Sequence, residues 1–482
     1  MPYEDLRTYL DALERNGLLR WIDKEVDKDS DIGPIGRVMF LALPEEQRYG
    51  LGFRNIKGYP SGRVVSGVIA ASSRMVACAL QCDPVSAQIY ERVMNGIANP
   101  IEAVMVKSGP CKEVIDGPGK LDLLSFPMPI WTPGKDAGPY LTPMWVTKDP
   151  DTGVRDIGIR RCQIKGRDKT GIVFGAPDRY GAIHHSKWKL RGKPMPAAIV
   201  VGTDPVQYLA APSRFGIDEL SVAGGIRGKA VELVKCETID LEVPATAEIV
   251  IEGEVDTDSL EMEGPFGEYT GYISEALPRP VFRAKCITHR KNPIILGLIS
   301  QFPPSESSMI KRHLLEESMR KHLSRNLNIP GIADVHAIEA GGCTAILWIS
   351  VKKMYTGHVD QLVFGVLGYM GMSYYKWIVV TDDDVDIRDP FMRDWILCWR
   401  VRPDKDMRFI VDTASVEVDP SSMPPGFDPE DVRGTKVIID ATKKWQYPEV
   451  SLPPREYLER ALSKWTEYGL PPLGNVRLPK GI

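Results

Sequence analysis

Two carboxylates five residues apart, Glu263 and Glu268, are the side chains of this sequence best suited to acid–base chemistry. Residues 264–267 between them read Gly-Pro-Phe-Gly, which cannot continue a helix or a regular strand, so the backbone must bend sharply. Such a bend can bring both acids into one concave site. One acid can then stay ionised while the other carries a proton. Taken alone, the pair is equally compatible with a solvated acidic loop.

Polar side chains on three other segments could form a metal site. An aspartate, a histidine and a glutamate would suit an octahedral site for Mn²⁺ or Mg²⁺ rather than for zinc. No short-range spacing ties these residues together, so each also fits a surface charge or a hydrogen-bonded core residue. The candidates are Asp156, His184, His185, Asp218 and Glu219.

Two further motifs are weaker. Residues 223–228 (Ala-Gly-Gly-Ile-Arg-Gly) could bind a phosphate through backbone N–H groups, but the spacing differs from that of a P-loop or a dinucleotide-binding motif. A tight turn is the favoured interpretation. Ser307 and Ser308 lack the Gly-x-Ser-x-Gly elbow of a serine hydrolase.

The elements that must position these side chains fall into four regions. Residues 1–110 mix helix-like and strand-like segments and predict a small α+β domain. Residues 111–300 are rich in β-branched runs separated by Pro, Gly and Asp, which predicts an antiparallel sheet or barrel. Residues 301–330 predict a long linker helix. In residues 331–482 strands alternate with helices, which predicts an α/β domain. A terminal helix at 455–468 could cover its own sheet or a partner subunit.

Composition excludes several classes of protein. The 482 residues carry a net charge of −4, which argues against a nucleic acid or an anionic membrane as the main partner. The eight cysteines are scattered without a CxxC pair, which argues against a zinc knuckle and a disulfide scaffold. No run approaches the roughly 20 apolar residues needed to span a bilayer, and the N-terminus shows no signal-like core. We therefore expect a cytoplasmic protein.

Several of these segments, in this order, resemble the UbiD family of prenylated-FMN-dependent decarboxylases. The resemblance covers nearly the whole chain and does not specify the substrate. Its family fold implies a multidomain α+β and α/β protein whose central domain is a split β-barrel that binds the flavin. One departure is Asp156, where the family's Asn-x-Gly-x-x-Arg segment has asparagine. The matching segments are 156–161, 192–202, 241–253, 263–272 and 376–385.

The resemblance implies a specific set of site residues. The Glu-Arg-Glu catalytic network falls on Arg161, Glu263 and Glu268. A divalent cation, Mn²⁺ or Mg²⁺, would bridge the protein to the cofactor phosphate, with K⁺ as a further candidate cofactor. The implied metal ligands are Asp156, His184 and Glu219; the implied cofactor contacts are Lys376 at the phosphate and the backbone around Ile159 and Ile183 along the flavin.

The activity implied by the resemblance is reversible, non-oxidative decarboxylation of an aromatic, heteroaromatic or α,β-unsaturated acid through a covalent adduct with prenylated FMN. Arg161 would orient carboxylates and Glu268 would protonate the product carbon. Tyr269, Met309 and the loop 305–308 are candidates for the substrate pocket.

Three alternatives remain open at this point. The chain could be a carboxylase acting on a phenol derivative or an aryl thioester, or a flavin-free metal-dependent lyase. It could also be a catalytically silent flavin-binding subunit, although the retained Glu-Arg-Glu set argues against that. The expected partners are a small carboxylic acid, a flavin prenyltransferase that supplies the cofactor, and further copies of the chain in a homodimer or larger homo-oligomer.

Overall fold

The computed structural model describes residues 2–175, 179–211, 218–369, 375–416, 418–423, 432–473 and 478. The chain divides into two compact units, residues 1–313 and residues 314–482. Each unit contains helices and sheets, which confirms the predicted mixed, multidomain class of fold. In the described ranges, no helix is both long and apolar enough to cross a membrane.

Short strands and helices build the first unit. Its helices are α1 (Leu6–Arg15), α2 (Ile32–Ala42), α3 (Ser73–Leu80), α4 (Ser86–Ala98), α5 (Tyr180–Leu190), α6 (Pro205–Ala210) and α7 (Glu219–Arg227), and α8 (Glu306–Lys321) begins there. Its strands are β1 (Leu19–Ile22), β2 (Gly50–Phe53), β3 (Arg63–Ser66), β4 (Val104–Met105), β5 (Val114–Asp116), β6 (Tyr140–Leu141), β7 (Met144–Lys148), β8 (Arg155–Ile159), β9 (Cys162–Gln163), β10 (Lys169–Gly171), β11 (Met195–Val201), β12 (Glu232–Lys235), β13 (Glu242–Pro244), β14 (Ile249–Glu263), β15 (Phe266–Gly267), β16 (Ile273–Ser274), β17 (Leu277–His289) and β18 (Ile294–Gly297).

The central sheet is the frame that positions the candidate site. Its strand order is β10-β17-β14-β11-β7-β8, with β5 paired to β17, and every pairing is antiparallel. Strand β11 is buried along most of its length because its apolar run is covered on both faces. Among the described residues no pairing joins β10 to β8, so this sheet is an open path. The strand-rich character predicted for this region is confirmed.

The strand predicted at residues 293–298 forms, but it belongs to a different sheet than its position in the sequence indicates. Strand β18 pairs in parallel with β3 of the four-stranded sheet β1-β2-β3-β18. The chain therefore returns to the N-terminal region after the central sheet. Local propensity identifies the strand but carries no information on this long-range partner.

Helix α1 shows how local sequence sets an element. Asp5 accepts a hydrogen bond from the Thr8 backbone N–H, and the Thr8 side chain returns the contact as a capping box. Gly17 follows the helix with a positive φ of 67°, a conformation that favours glycine. The predicted helix near residues 3–16 is confirmed.

The glycine-rich segment 223–228 is not the predicted turn. It forms the second half of α7, and Gly228 ends the helix in the left-handed region. Gly224 and Gly225 allow α7 to approach the backbone around residues 96–101. A methyl group added at Gly224 would lie 2.5 Å from the Ile101 carbonyl oxygen. Close packing, rather than a bend, explains these glycines.

The second unit is an α/β sheet with helices, as predicted. Its sheet order is β19-β20-β21-β23-β22, with β20, β21 and β23 parallel. Its strands are β19 (Ile332–Ala337), β20 (Ile346–Val351), β21 (Trp377–Asp382), β22 (Met407–Ala414) and β23 (Arg433–Asp440), and its helices are α9 (His358–Gly368), α10 (Pro390–Arg400), α11 (Pro403–Asp406) and α12 (Arg455–Ser463). Helix α12 has no buried residue, and Leu458, Leu462 and Trp465 are only partly covered.

Candidate active site

Arg161 bridges two carboxylates from distant segments of the first unit. Its Nε donates to Glu263 Oε1 at 3.1 Å and its Nη2 donates to Glu263 Oε2 at 2.7 Å. Its Nη1 donates to Glu268 and, at 3.2 Å, to the Ser274 hydroxyl. We call Arg161, Glu263 and Glu268 the Arg161 cluster. The three residues predicted to form a catalytic network are therefore neighbours in space.

Three strand ends place this cluster. Arg161 follows β8, Glu263 ends β14, and Glu268 follows the short strand β15. The turn after β15 is closed by two backbone bonds, from the Glu268 N–H to the Tyr272 carbonyl at 2.8 Å and from the Gly271 N–H to the Glu268 carbonyl at 2.9 Å. This tight hairpin holds the backbone of Glu268 and follows the second acid. The predicted bend between the two acids lies at Gly264, whose φ of 96° is in the left-handed region.

The two acids of the cluster differ in their access to solvent. The Glu263 side chain is 1% exposed, whereas that of Glu268 is 17% exposed. Burial lowers the pKa of Arg161, but Glu268 and Glu263 outweigh burial and raise the pKa above its usual value. The guanidinium therefore remains charged. Glu263 is fixed by its bidentate bond, whereas part of the Glu268 carboxylate is accessible to solvent.

A second cluster of charges lies on the other side of the same chain segment. Arg160 Nη2 donates to Asp156 Oδ2 at 2.6 Å, and both side chains are 9% exposed. The guanidinium lies against two glycines: methyl groups added at Gly158 and Gly181 would lie 2.7 Å from Nη1 and 2.6 Å from Nη2. Gly181 is in the first turn of α5.

Two of the predicted metal ligands border this ion pair. The Asp156 charge acts on both His184 and Glu219, and Glu219 Oε2 accepts the Ile157 N–H at 3.3 Å. We call Asp156, Arg160, His184 and Glu219 the Asp156 cluster. In the described part of the chain, no group of three or more His, Cys, Asp or Glu side chains is arranged to hold a metal ion. Arg160 occupies one Asp156 oxygen instead.

Within the described residues, the buried side chain of Glu219 in the Asp156 cluster has no cationic partner. Burial, together with the nearby Asp156 and Asp218, raises the pKa of Glu219 to about 8. Burial lowers the pKa of His184, so its imidazole is neutral at pH 7. The Thr147 hydroxyl lies 2.9 Å from His184 Nδ1, which leaves Nε2 for another partner. A neutral imidazole beside a carboxylate is a donor set that a divalent cation can use.

The structure distinguishes His184 from its neighbour. His185 Nε2 is 2.9 Å from the Asp256 carbonyl oxygen, and its ring packs beside Phe174. His185 is therefore a packed structural residue. His184 is buried and belongs to the Asp156 cluster. Its choice over His185 as a metal ligand, which the resemblance implies, stays a prediction.

The remaining predicted cofactor contacts are spread over both units. Ile159 and Ile183 are half-buried at the end of β8 and in the first turns of α5. Lys376 belongs to the second unit, where its Nζ lies 2.9 Å from Asp419 Oδ2 and also contacts Ser421.

The candidate substrate residues lie in the first unit. Met309 is fully buried in α8, and the Ser305 and Ser308 hydroxyls are 2.9 Å apart. The Lys311 Nζ lies 5.4 Å from the centre of the Tyr269 ring. Lys311 thus places a positive charge beside the Tyr269 ring.

Two orphaned polar atoms border the turn that carries Glu268. Gln301 Nε2 and Thr132 Oγ1 are buried and have no hydrogen-bond partner among the described residues. Both side chains pack against Gly267, where a methyl group would lie 2.8 Å from Gln301 Cγ and 2.9 Å from Thr132 Oγ1. Buried donors and acceptors without partners are costly, so these atoms are candidates to meet a polar ligand.

Sequence reasoning missed three contributors to the site. Arg160 escaped notice beside Arg161, although its spacing of four from Asp156 puts both on one side of a strand. Ser274 and Gly171 touch the Arg161 cluster from distant segments; a methyl group at Gly171 would lie 2.7 Å from Glu263 Cγ. Only the Arg160 contact had a local signal.

Known proteins match this chain over nearly its full length. Family models match for the 3-octaprenyl-4-hydroxybenzoate carboxy-lyase Rift-related domain, over residues 102–303, and for the carboxy-lyase C-terminal domain, over residues 311–441. An uncharacterized protein from Archaeoglobus fulgidus is 31% identical over 469 residues, which are 92% of this chain and 93% of the relative.

Solved structures agree with these matches. The UbiD-class enzyme HmfF from Pelotomaculum thermopropionicum, in complex with FMN, is 31% identical over 95% of this chain and 99% of its own, with a TM-score of 0.82. An evolved dimeric form of HmfF in complex with prFMN is also 31% identical and has a TM-score of 0.78, over 94% of this chain and 98% of its own. Vanillic acid decarboxylase from Sedimentibacter hydroxybenzoicus is 29% identical over 97% of this chain and 100% of its own, with a TM-score of 0.80.

Fold and sequence together define an enzyme of the carboxy-lyase class. The chain belongs to the UbiD family.

Proposed function

We propose that this enzyme decarboxylates an aromatic, heteroaromatic or α,β-unsaturated carboxylic acid, reversibly and without net oxidation, with prenylated FMN as its cofactor. The observation that carries the proposal is the Arg161 cluster, in which one buried guanidinium holds two carboxylates of unequal exposure. The likeness to HmfF, which has been solved with FMN and with prFMN, supports the choice of cofactor.

The residues around the Asp156 cluster fit the phosphate end of such a cofactor. Gly158 and Gly181 make room for the Arg160 guanidinium, which places a positive charge beside the first turn of α5. Prenylated flavin supplies an electrophilic carbon and an electron sink when it is bound. Ile159 and Ile183 would line its ring system.

We also propose that a divalent cation, Mn²⁺ or Mg²⁺, joins the Asp156 cluster when the cofactor binds. Glu219 and His184 would be two of its ligands, and Asp156 would be the third once its carboxylate is released from Arg160. The support is chemical, because a bound cation would lower the raised pKa of the buried Glu219 side chain and allow it to ionise and coordinate.

The chain's own contribution to the reaction is orientation and proton transfer. Arg161 would hold the substrate carboxylate in place through hydrogen bonds. The bidentate bond from Arg161 to Glu263 would keep the guanidinium in a fixed orientation. Glu268, the more exposed acid, would deliver a proton to the carbon that loses CO₂. In the reverse direction Glu268 would remove that proton, so one set of residues serves both directions.

The substrate is expected to carry a polar substituent. Gln301 Nε2 and Thr132 Oγ1, buried and without partners among the described residues, could each bond to a hydroxyl or carbonyl group on the acid. Tyr269, Met309 and the 305–308 segment would provide the adjoining wall.

The test is a comparison of protein produced with and without a flavin prenyltransferase. Each preparation is analysed by absorbance and by CO₂ release from a panel of aromatic and α,β-unsaturated acids. We expect coloured protein and CO₂ release only after co-expression with the prenyltransferase. Colourless protein with full activity would contradict the flavin proposal and favour a metal-dependent lyase.

A further inference from the structure

The ion pair between Asp156 and Arg160 has an unusual position for a structural salt bridge. It is largely buried, and the Arg160 guanidinium lies beside the first turn of α5. The N-terminal end of a helix is the positive end of its dipole, so a cation there is electrostatically unfavourable. Asp156 offsets part of this cost, and an additional anion would offset the rest.

Arg160 also has hydrogen-bonding capacity to spare. Within the described ranges, its guanidinium makes two hydrogen bonds, to Asp156 Oδ2 at 2.6 Å and to the Gly158 carbonyl oxygen at 3.3 Å. A guanidinium has five N–H donors in a planar fork that matches phosphate oxygens. The remaining donors of this largely buried group are therefore available to a ligand.

The backbone N–H and carbonyl of Arg160 are both hydrogen-bonded, which fixes the position from which its side chain extends. Its N–H donates to the Pro143 carbonyl at 3.2 Å, and its carbonyl accepts the Trp145 indole N–H, also at 3.2 Å. Trp145 is fully buried between the central strands. The neighbouring Arg161 leaves the chain toward Glu263 and Glu268, so the two consecutive arginines serve different clusters.

We infer that Arg160 binds the phosphate of the flavin mononucleotide directly. In the free protein Asp156 pairs with the Arg160 guanidinium, and on cofactor binding the phosphate replaces Asp156 as its partner. The inference rests on the proposed function. It also gives the aspartate at position 156 a role: Asp156 shields the charge of Arg160 in the free protein, and the exchange releases its oxygens for the divalent cation.

The experiment compares FMN with riboflavin, which is the same ring system without the phosphate. Binding to the full chain is measured by quenching of flavin fluorescence in EDTA, so that metal bridging contributes nothing. We expect Arg160→Gln to weaken FMN binding by about 10- to 100-fold while riboflavin affinity changes less than about twofold. Arg191→Gln, which removes the same charge at the opposite end of α5, is the matched control and should leave both affinities unchanged.

Two further variants sharpen the result. Arg160→Lys keeps the charge without the planar fork, should lose an intermediate amount of FMN affinity, and decides the question if the glutamine variant does not fold. Asp156→Asn frees Arg160 and removes a negative charge from the phosphate position, so it should bind FMN more tightly than wild-type in EDTA. Equal or looser binding by Asp156→Asn would overturn the exchange.

The outcomes separate this inference from the proposed function. Wild-type protein that binds neither flavin in EDTA would overturn the direct contact between Arg160 and the phosphate, whereas full activity of colourless protein is the result that overturns the proposed function. Wild-type protein that prefers FMN to riboflavin, with an Arg160→Gln variant that keeps the preference, would overturn only the role of Arg160. Equal losses for FMN and riboflavin would also overturn it, because they would assign Arg160 to packing under the ring system.

Discussion

Two consecutive arginines, Arg160 and Arg161, organise two clusters that differ in how their carboxyl groups are paired. In the Arg161 cluster one guanidinium faces two carboxylates, and each acid has a direct partner. In the Asp156 cluster the only guanidinium pairs with Asp156, and Glu219 remains buried beside it with a pKa of about 8. Within the described residues, each carboxyl group of the Arg161 cluster has a cationic partner, whereas Glu219 in the Asp156 cluster has none. This difference agrees with the proposal that a charged cofactor and a cation bind at the Asp156 cluster.

The largest loss of activity is expected from substitution of Arg161, at the centre of the Arg161 cluster. Arg161→Ala leaves Glu263 and Glu268 without their shared cation and removes the group that we propose orients the substrate. We expect kcat/KM to fall by about 10³-fold or more while FMN affinity stays within about threefold. Steady-state kinetics and flavin fluorescence provide the two readouts. A comparable loss of FMN binding would show that the two clusters are not functionally separate.

Glu268 is expected to matter more for the chemical step than for the architecture. Glu268→Gln keeps the shape of the side chain and removes the transferable proton, so kcat should fall by about 10²- to 10³-fold with little change in KM. The comparison variant is Glu263→Gln, which breaks a bidentate bond at a fully buried site and should also lower the melting temperature. Equal thermal destabilisation by both variants would contradict the division of roles between the two acids.

A larger side chain next to the Asp156 cluster should weaken FMN binding. Gly181→Ala introduces a methyl group 2.6 Å from the present position of Arg160 Nη2, which forces the guanidinium to move. We expect FMN affinity to fall by about 10-fold, as measured by fluorescence quenching. Gly166→Ala is the control, since a methyl group there meets no atom within 4 Å. Unchanged FMN affinity in Gly181→Ala would separate this glycine from the cofactor site.

An ion pair outside both clusters should affect stability and not activity. Arg312 holds Glu45 at 2.9 Å; burial acts to raise the pKa of Glu45, but Arg312 and the Ser73 bonds outweigh it and lower the pKa to about 2. Because the pKa of Glu45 is lower in the folded than in the unfolded protein, its carboxylate stabilises the fold at pH values above the unfolded pKa, near 4.5. That stability is lost as pH falls toward about 2.

Glu45→Gln should therefore cost about 2 kcal/mol at pH 7, and progressively less as the pH falls below about 4.5. Denaturant unfolding at several pH values measures this difference, and kcat at pH 7 should equal that of wild-type. A pH-independent loss of stability would assign the effect of Glu45 to packing rather than to charge.

Local sequence signals account for much of the fold and for one cluster. The Gly-Pro-Phe-Gly turn announces the bend that joins Glu263 to Glu268, and β-branched runs locate β11 and β17. Signals for α6 and α10 were also present, because each begins with proline after a capping aspartate, Asp204 and Asp389.

The parts that sequence could not predict depend on contacts between distant segments. The parallel pairing of β18 with β3 joins residues more than 200 positions apart, and no local pattern encodes it. Gly181 faces Arg160 only because α5 packs beside the end of β8. Residue chemistry made Asp156, His184 and Glu219 candidate ligands, and only the family resemblance grouped them. Arg160 and its ion pair with Asp156 were not predicted and are seen only in the structure.

The most direct test of the central claim is turnover in deuterated buffer by protein reconstituted with prenylated FMN. Wild-type protein should release CO₂ from an accepted acid and place one deuterium on the carbon that carried the carboxyl group. Glu268→Gln, with the cofactor intact by absorbance, should release and label at least about 100-fold more slowly. Labelling by Glu268→Gln at the wild-type rate would contradict the assignment of the Arg161 cluster as the acid–base centre.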